Sequence, residues 1–411
     1  MGCGERPVEV ASSQIVVASS PSTATDAVSP RTNTGKPLLM HYMPWYETPA
    51  VRKKWGSHWR GHGGEHDPSK KNTDGLPDIW SHYHPLIGLY DSTDPDVLEC
   101  HLLQMKLAGV DGVVVDWYGI ARYADYPPIH EATRAMLAAT AKFGMKFAAC
   151  YEDRSVDLLV QRNKLKQEDV PDHLTEMFEW VETEWFTQSN YFRLDDRPLL
   201  LNFGPMFVKD TNVWMKAMSA LPEKPALFGL HHLWKHTGGD GGFTWVHQAP
   251  WDGPQDPEII RKRIGEAFTY FSKDHARHLS SAYPGYHDMY EKSHGKLDHA
   301  NGETLRMTLE VALEGPWPLV QLVTWNDYGE GTMIEPTHEF GYRFLEVVQE
   351  VRKKETGASF VFTSEDLRLP AQLLKLRKKG VVERPQLDAI SELLRDGNCE
   401  KARERLAELD K

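Results

Sequence analysis

Short apolar runs alternate with longer amphipathic segments along most of the chain. Runs of four to eight apolar residues that are rich in branched side chains are typical of strands buried on both faces. Such strands are predicted at residues 37–46, 110–119, 146–151, 197–204, 226–230, 242–247, 279–283 and 318–325. Apolar residues at helical spacing predict helices at residues 94–108, 129–143, 174–184, 257–273 and 304–314. Strands and helices that alternate in this order predict an α/β fold, a (β/α)8 TIM barrel.

The last predicted strand leads into two acids that form the candidate catalytic pair. Asp327 and Glu330 follow the apolar run 318–325 and are three residues apart. Acid pairs at this spacing also occur on ordinary solvated surfaces. Here, however, the neighbours are aromatic residues and glycines rather than Lys and Arg, which is typical of a cleft. Because a parallel barrel gathers its chemistry at the carboxyl ends of its strands, we predict that this pair is catalytic.

Polar and aromatic residues also follow the other predicted strands. We predict that they bind substrate beside the acid pair, although each has a structural alternative as a hydrogen-bonded residue of the fold. The candidates are His41, Tyr46, Asp116, Trp117, Glu152, Asp153, His231, Tyr286, Asp288, Trp325 and Tyr328. Glu152 and Asp153 could equally anchor loops through ion pairs. Glu335 is predicted to be a loop or helix-start anchor rather than a third catalytic acid.

A loop between residues 55 and 84 is dense in histidine and tryptophan. Only His82 and His84 match the spacing of a strand-borne metal-ligand pair, and no HExxH or Cys/His set is present. Aromatic faces stack on sugar rings while His and Asp bind hydroxyls, so sugar binding explains the mixture better. We therefore predict no metal and no cofactor. A metal-dependent hydrolase that uses these two histidines with His231 or His232 stays open as an alternative.

Charge and cysteine content exclude several classes of protein. The formal net charge of -12 argues against nucleic acid or an anionic membrane surface as partner. The four cysteines have no CxxC spacing, so neither a zinc knot nor a disulfide framework is indicated. Cys100 and Cys150 are predicted to be buried thiols. No apolar run reaches the roughly 18 residues that span a bilayer.

The two ends of the chain differ from its middle. Residues 1–35 are rich in Ser, Thr, Ala, Val and Pro, which predicts a disordered leader. Cys3 ahead of this leader is similar to the start of a bacterial lipoprotein whose signal peptide has been removed. The alternative is that the sequence starts at an arbitrary position. We therefore expect a periplasmic, cell-surface or secreted protein, with any membrane contact through this lipid anchor. Residues 36–355 are predicted to form the catalytic domain and residues 362–411 a small helical appendage, within a monomer.

Four motifs, in order, resemble those of glycoside hydrolase family 99. They are YMPWY at 42–46, GLYDSTDP at 88–95, PGYHD at 284–288 and WNDYGEGTMIEP at 325–336. The start of the last motif resembles family 71 even more, so the chain resembles family 71/99-like proteins. The resemblance covers about residues 37–350. It implies a (β/α)8 barrel that cleaves α-linked glycans, either an α-mannoside or an α-glucan, as oligo- or polysaccharide.

The resemblance also implies roles for the two acids. Glu330 lies where family 99 has the acid that protonates the leaving oxygen. Asp327 lies where that family has a Glu that deprotonates the sugar's 2-hydroxyl, whereas family 71 has Asp there and is thought to invert. Asp is one methylene shorter than Glu, which leaves room for a water, so we favour inversion with Asp327 as base. A non-catalytic glycan-binding lipoprotein on the same barrel is the alternative.

Overall fold

The computed structural model describes residues 35–246, 256–273, 277–290 and 295–409. Residues 1–34, which hold most of the predicted leader and Cys3, lie outside this part, as does His247 at the end of the predicted sixth strand. Within the described residues, no helix is both long enough and apolar enough to span a membrane.

Eleven strands are present in the described part of the chain. They are β1 Leu38–Tyr42, β2 Gly112–Trp117, β3 Lys146–Tyr151, β4 Arg193–Leu194, β5 Arg197–Asn202, β6 Ala226–Leu230, β7 Gly241–Phe243, β8 His278–Ala282, β9 Tyr286–His287, β10 Lys296–Leu297 and β11 Val320–Leu322. β4 pairs antiparallel with β5, and β9 with β10, as short ribbons.

Thirteen α-helices accompany the described strands. They are α1 Pro49–Arg52, α2 Ser57–Arg60, α3 Pro95–Ala108, α4 Tyr126–Phe143, α5 Arg154–Gln161, α6 Val170–Val181, α7 Thr211–Ser219, α8 Pro257–Lys273, α9 Glu303–Glu314, α10 Arg343–Thr356, α11 Leu369–Lys379, α12 Arg384–Arg395 and α13 Cys399–Leu409.

Eight of the strands close into a barrel. Their order is β3-β2-β1-β11-β8-β7-β6-β5, and the additional pairing of β3 with β5 closes the ring. Every neighbouring pair in the ring is parallel. The predicted (β/α)8 barrel is therefore confirmed, and the carboxyl ends of all eight strands meet at one mouth.

Local sequence signals account for most element bounds. β3, β6 and α8 have the predicted limits. Asp94 caps α3 by accepting a hydrogen bond from the Asp96 backbone, and Gly109 ends that helix at φ 91°. α4 begins at Tyr126, earlier than predicted, because its two prolines fall in the first turn, where a missing N–H does no harm. β7 is shorter than predicted.

α11 and α12 pack against α3 beside the barrel, and α13 packs against α11 and α12. Glu99 of α3 accepts hydrogen bonds from the Arg377 Nε of α11 at 2.5 Å and from the Ser391 hydroxyl of α12 at 2.6 Å. Buried aliphatic residues of α12 and α13, among them Leu387, Leu394 and Leu406, complete the contact. The domain limits given above stay predictions.

Candidate active site

The predicted acid pair lies in the loop that follows β11, at the mouth of the barrel. The Asp327 backbone N–H donates to the Thr324 hydroxyl at 2.8 Å, and the Glu330 N–H donates to Asp327 Oδ1 at 2.9 Å. Asp327 is only 2% exposed, whereas Glu330 is partly exposed. One tight loop therefore carries both carboxylates, and the longer side chain is the more accessible.

Glu330 is held by a tryptophan from another strand end. The indole Nε1 of Trp245, which follows β7, donates to Glu330 Oε2 at 3.0 Å. Burial raises the pKa of Glu330 well above its ordinary value, and the charge of Asp327 adds to this rise. The charges of Asp288 and Glu152 act in the same direction, while the indole hydrogen bond opposes it. Glu330 therefore keeps its proton towards neutral pH, as a general acid must.

Asp327 is buried but better hydrogen-bonded. Burial raises its pKa to about 7, and the charge of Asp288 contributes. The backbone N–H groups of Glu330 and Gly329 and the Tyr290 hydroxyl oppose this rise by binding the carboxylate. A Cβ at Gly329 would lie 2.2 Å from the Tyr290 hydroxyl, so only glycine lets the tyrosine approach. Asp327 is thus the group of the pair that ionises more readily.

Two further acids face the pair from β2 and β3. Asp116 is 2% exposed, and within the described part of the chain neither of its carboxylate oxygens has a hydrogen-bond partner. Burial, then the charges of Glu152 and Asp327, raise its pKa well above the ordinary value. Burial raises the pKa of Glu152 to about 8, with Asp327 again among the contributing charges. The mouth therefore concentrates acids whose pKa values are raised by burial and by one another's charge. This is the usual electrostatic pattern of an acid–base site.

The β9–β10 ribbon supplies another wall of the mouth. The Tyr286 hydroxyl donates to Asp288 Oδ2 at 2.8 Å, and the Tyr290 backbone N–H donates to Asp288 Oδ1 at 2.7 Å. Burial, followed by the charge of Glu330, raises the pKa of Tyr286. The two predicted residues of this ribbon therefore form a bonded pair beside the catalytic candidates.

Tyr46 positions the acid loop from behind. Its hydroxyl donates to the Asn326 carbonyl at 2.7 Å and accepts the Tyr328 N–H at 3.3 Å. Asn326 is fixed in turn by the Met43 backbone, whose N–H it accepts at 2.8 Å and whose carbonyl it bonds at 3.0 Å. Tyr46 therefore orders the residues on both sides of Asp327.

The structure corrects the prediction for Trp117. Its indole donates to His130 Nδ1 at 3.1 Å and packs with Trp180 and Trp185, between the barrel and its helices. Successive side chains of a strand point to opposite faces, so Asp116 faces inwards and Trp117 outwards. Trp117 is therefore a packing residue and does not line the mouth.

Asp153 anchors a loop, which was one of the two roles predicted for it. Its carboxylate accepts the backbone N–H groups of Met206, Phe207 and Val208, each at 2.8 Å. These three bonds occupy the side chain, which is 0% exposed. Glu152, its neighbour in sequence, faces the acids instead.

Trp325 and Tyr328 are also corrected, because both lie behind the acid loop. Tyr328 donates its hydroxyl to Glu335 Oε2 at 3.0 Å, and Glu335 also accepts from Tyr90 at 2.8 Å. The Trp325 ring lies 5.2 Å from that of His101. Each of the two aromatic residues is 0% exposed. They support the loop from the core, with Glu335 as its buried anchor.

The histidines of the 55–84 loop are used in separate contacts. His84 pairs with Glu339 at 3.1 Å, while the His82 ring stacks on His287 with centroids 3.5 Å apart. His231 follows β6 and bonds the Phe243 carbonyl through its backbone N–H at 2.9 Å. Among the described residues, these histidines do not form a group close enough to share an ion. The alternative of a metal-dependent hydrolase built on them therefore loses its geometric basis.

His41 lies at the floor of the mouth. It is 0% exposed, its Nδ1 lies 3.3 Å from Gln321 Oε1, and the Trp245 ring stands edge-on at 4.8 Å. Sequence reasoning missed Trp245, Tyr290 and Gln321 as members of this site. Trp245 falls inside a predicted strand, and nothing local to it points to an acid that is 85 positions away in the chain.

A small pocket lies beside Tyr46. Tyr46 is the one predicted site residue in its lining, which also includes Arg52, Asp91 and Asp125. The acid pair is not part of this lining. The pocket therefore borders the site behind Tyr46 and does not contain its chemistry.

Comparison with known proteins agrees with the fold and with the class of enzyme. The model of "Glycosyl hydrolase family 99" matches residues 35–218, somewhat less than half of the chain, and ends before the acid pair. A glycoprotein endo-alpha-1,2-mannosidase-like protein of Danio rerio is 23% identical over 339 residues, which cover 72% of this chain and 70% of the relative. The glycoprotein endo-alpha-1,2-mannosidase of Mus musculus is 22% identical over 340 residues, with coverage of 72% and 67%.

The same family contains a solved structure with this fold. The GH99 endo-alpha-mannosidase from Bacteroides thetaiotaomicron superposes with a TM-score of 0.56 at 18% identity, covering 78% of this chain and 98% of the other. The barrel, the sequence relatives and the family match together define the class, a glycosidase. Within that class, the chain is similar to glycoside hydrolase family 99. The family 71 part of the resemblance stays a prediction.

Proposed function

We propose that this glycosidase hydrolyses α-mannosides, with Glu330 as general acid and Asp327 as general base. The observation that supports the proposal is the pairing itself. One loop at the barrel mouth presents both carboxylates. Burial raises the pKa of each, and the charge of Asp327 adds to the rise at Glu330. Glycoside hydrolysis requires one group that donates a proton and a second group that accepts one, and this pair can supply both.

The reaction balances without any other reagent than water. Glu330 gives its proton to the glycosidic oxygen as the bond from C1 to that oxygen breaks. Water attacks C1 from the opposite face and gives its proton to Asp327, which inverts the anomeric centre. Solvent then restores both protonation states. We propose inversion because the short Asp327 side chain leaves room for this water.

The mannoside preference rests on the relatives and not on the site. Two of them are named as endo-alpha-1,2-mannosidases or proteins like them. An α-glucan is the second candidate, because Asp at position 327 is the feature that resembles family 71. In either case Asp116, Glu152 and His231 are proposed to bind sugar hydroxyls beside the pair.

The decisive experiment compares substrates with poor and good leaving groups in the Glu330→Gln variant. With an α-mannan or α-linked oligomannoside, we expect kcat to fall about 10²–10⁴-fold, the usual contribution of a positioned acid. With an activated aryl α-mannoside, the leaving group needs no proton, so most of the activity should remain. Glu339→Gln is the matched control, since Glu339 pairs with His84 away from the acids. Equal losses on both substrates would remove Glu330 from the acid role.

Product analysis separates the remaining alternatives. Proton NMR of the first product should show the anomer opposite to that of the substrate if Asp327 activates water. The same anomer would instead indicate attack through the sugar's 2-hydroxyl. Binding of an α-mannan or α-glucan without turnover by the unsubstituted protein would favour the non-catalytic glycan-binding alternative.

A further inference from the structure

Three potential metal ligands converge on the floor of the barrel mouth. They are His41 of β1, Asp116 of β2 and Cys150 of β3, and their ligand atoms all lie within 4.8 Å of one another. The strand register explains the convergence, because Asp116 and Cys150 are directly paired neighbours on β2 and β3. All three residues are at most 2% exposed.

The polar atoms of this cluster are unpartnered. His41 Nε2 and both oxygens of Asp116 have no hydrogen-bond partner among the residues that the structure describes. An unsatisfied buried polar group costs about 1–3 kcal/mol, and more if it is charged. Unpartnered polar atoms on two residues of one buried cluster therefore indicate that something polar binds there.

The histidine is oriented as a ligand. Its Nδ1 lies 3.3 Å from the side-chain oxygen of Gln321, which can only accept a hydrogen bond. The ring proton then sits on Nδ1 and leaves a lone pair on Nε2. A second partner that fixes the tautomer in this way is typical of metal-bound histidines. Gln321 itself is 1% exposed and belongs to β11.

We propose that His41, Asp116 and Cys150 form a binding site for a borderline transition-metal ion, Zn²⁺ above all. One imidazole nitrogen, one carboxylate oxygen and one thiolate sulfur suit zinc, whereas Mg²⁺ and Ca²⁺ require oxygen ligands. Tetrahedral ligands at about 2.0–2.3 Å from an ion are roughly 3.3–3.8 Å apart, so each side chain would move by about 1 Å or less. Ion uptake releases the protons of the thiol and the carboxyl to solvent.

This inference differs from the prediction of no metal and from the histidine-rich loop. The three ligands lie far apart in sequence, and the pairing of β1 with β2 and of β2 with β3 brings them together. A divalent ion at this point would offset the negative charge that Asp116 shares with Glu152 and the catalytic pair. The proposal holds whether or not the chain cleaves glycosides, because it rests on the ligand geometry alone.

Metal retention tests the proposal without any activity assay. The full chain in a Cys3→Ser background is stripped with a chelator, incubated with a slight excess of Zn²⁺ or Co²⁺, desalted and analysed by mass spectrometry for metal. We expect about one equivalent to remain. The Co²⁺ form should also show the thiolate-to-cobalt charge-transfer absorption. Absence of retained metal, or of this absorption, in the unsubstituted site would overturn the proposal without touching the glycosidase assignment.

Matched variants locate the bound ion. Cys150→Ser and Asp116→Asn should each weaken retention by at least about 10–100-fold. Cys100→Ser should retain as much as the parent, because Cys100 is a buried thiol on α3 outside the barrel. Circular dichroism checks that each variant is folded. If a variant does not fold, the cobalt spectrum of the parent protein decides the question. Retention by Cys150→Ser equal to that of the parent would contradict the site.

Discussion

Buried carboxylates occur in two regions of this molecule with opposite surroundings. At the contact of α3 with α11, Glu99 is 4% exposed and accepts two hydrogen bonds from Arg377, at 2.5 and 3.0 Å. The Ser391 hydroxyl adds a third at 2.6 Å. At the barrel mouth, Asp116 is 2% exposed, and its oxygens have no hydrogen-bond partner in the described ranges of the chain.

The difference shows which buried acid serves stability and which serves chemistry. A carboxylate whose oxygens are bound by a guanidinium keeps its charge and ties two helices together. Acids that are crowded without such partners hold protons at neutral pH and destabilise the fold when they ionise. Natural proteins tolerate that strain mainly where function requires it.

The largest expected effect is on catalysis at the mouth. Asp327→Asn should lower kcat/KM for an α-mannoside by about 10²–10⁴-fold, because the amide cannot accept the proton of the attacking water. The thermal midpoint should change little. Asp172→Asn is the control, since Asp172 pairs with Lys216 on the exposed surface. Steady-state kinetics of the two variants make the comparison, and similar activities would refute the base role.

The next effect is on stability at the helix contact. Glu99→Ala should lower the free energy of unfolding by up to about 3–5 kcal/mol, because it removes the buried partner of Arg377 and leaves this charge only the more exposed Asp388. The kcat of the folded fraction should stay the same. Urea denaturation measures the loss, and the double variant Glu99→Leu with Arg377→Met should recover much of it. A loss below about 1 kcal/mol would mean that water solvates this pair.

A stability gain is expected where an acid of the mouth is neutralised. The raised pKa of Glu330 means that the folded chain binds more protons than the unfolded chain above about pH 4.5. The free energy of unfolding therefore falls as pH rises through that window. Glu330→Gln removes this penalty and should add about 0.5–2 kcal/mol at pH 7.5. Below the unfolded pKa, near pH 4, the two proteins should have equal stability in urea. Lower stability of the variant at pH 7.5 would contradict this account.

The smallest effect is a shift in a pH profile. Trp245→Phe removes the indole hydrogen bond that lowers the pKa of Glu330, so that pKa should rise. The alkaline limb of kcat/KM then moves to higher pH. Activity at the optimum should fall by no more than about tenfold, since one hydrogen bond contributes about 0.5–1.5 kcal/mol. Trp214→Phe is the control, because Trp214 lies on α7 and its indole donates to the Val208 carbonyl instead of to Glu330. An unmoved limb would show that the indole does not act on Glu330.

The sequence alone determined the architecture and the position of the acid pair. Apolar periodicity is a local property, so the limits of β3, β6 and α8 followed from the residues within them. Asp327 and Glu330 are close in space because they are close in sequence, and one glycine-containing loop holds them both.

Only the tertiary structure decided which other residues join that pair. The register of β2 turns Asp116 inwards and Trp117 outwards, although they are adjacent in sequence. The arrangement of the strands also brings Trp245 to Glu330, and the pairing of β2 with β3 brings Cys150 to Asp116. Such contacts depend on how eight strands align around a ring, and no window of local sequence encodes that alignment. The physical reason is that burial specifies which face of a strand is apolar, whereas the closed hydrogen-bond register specifies which side chains meet.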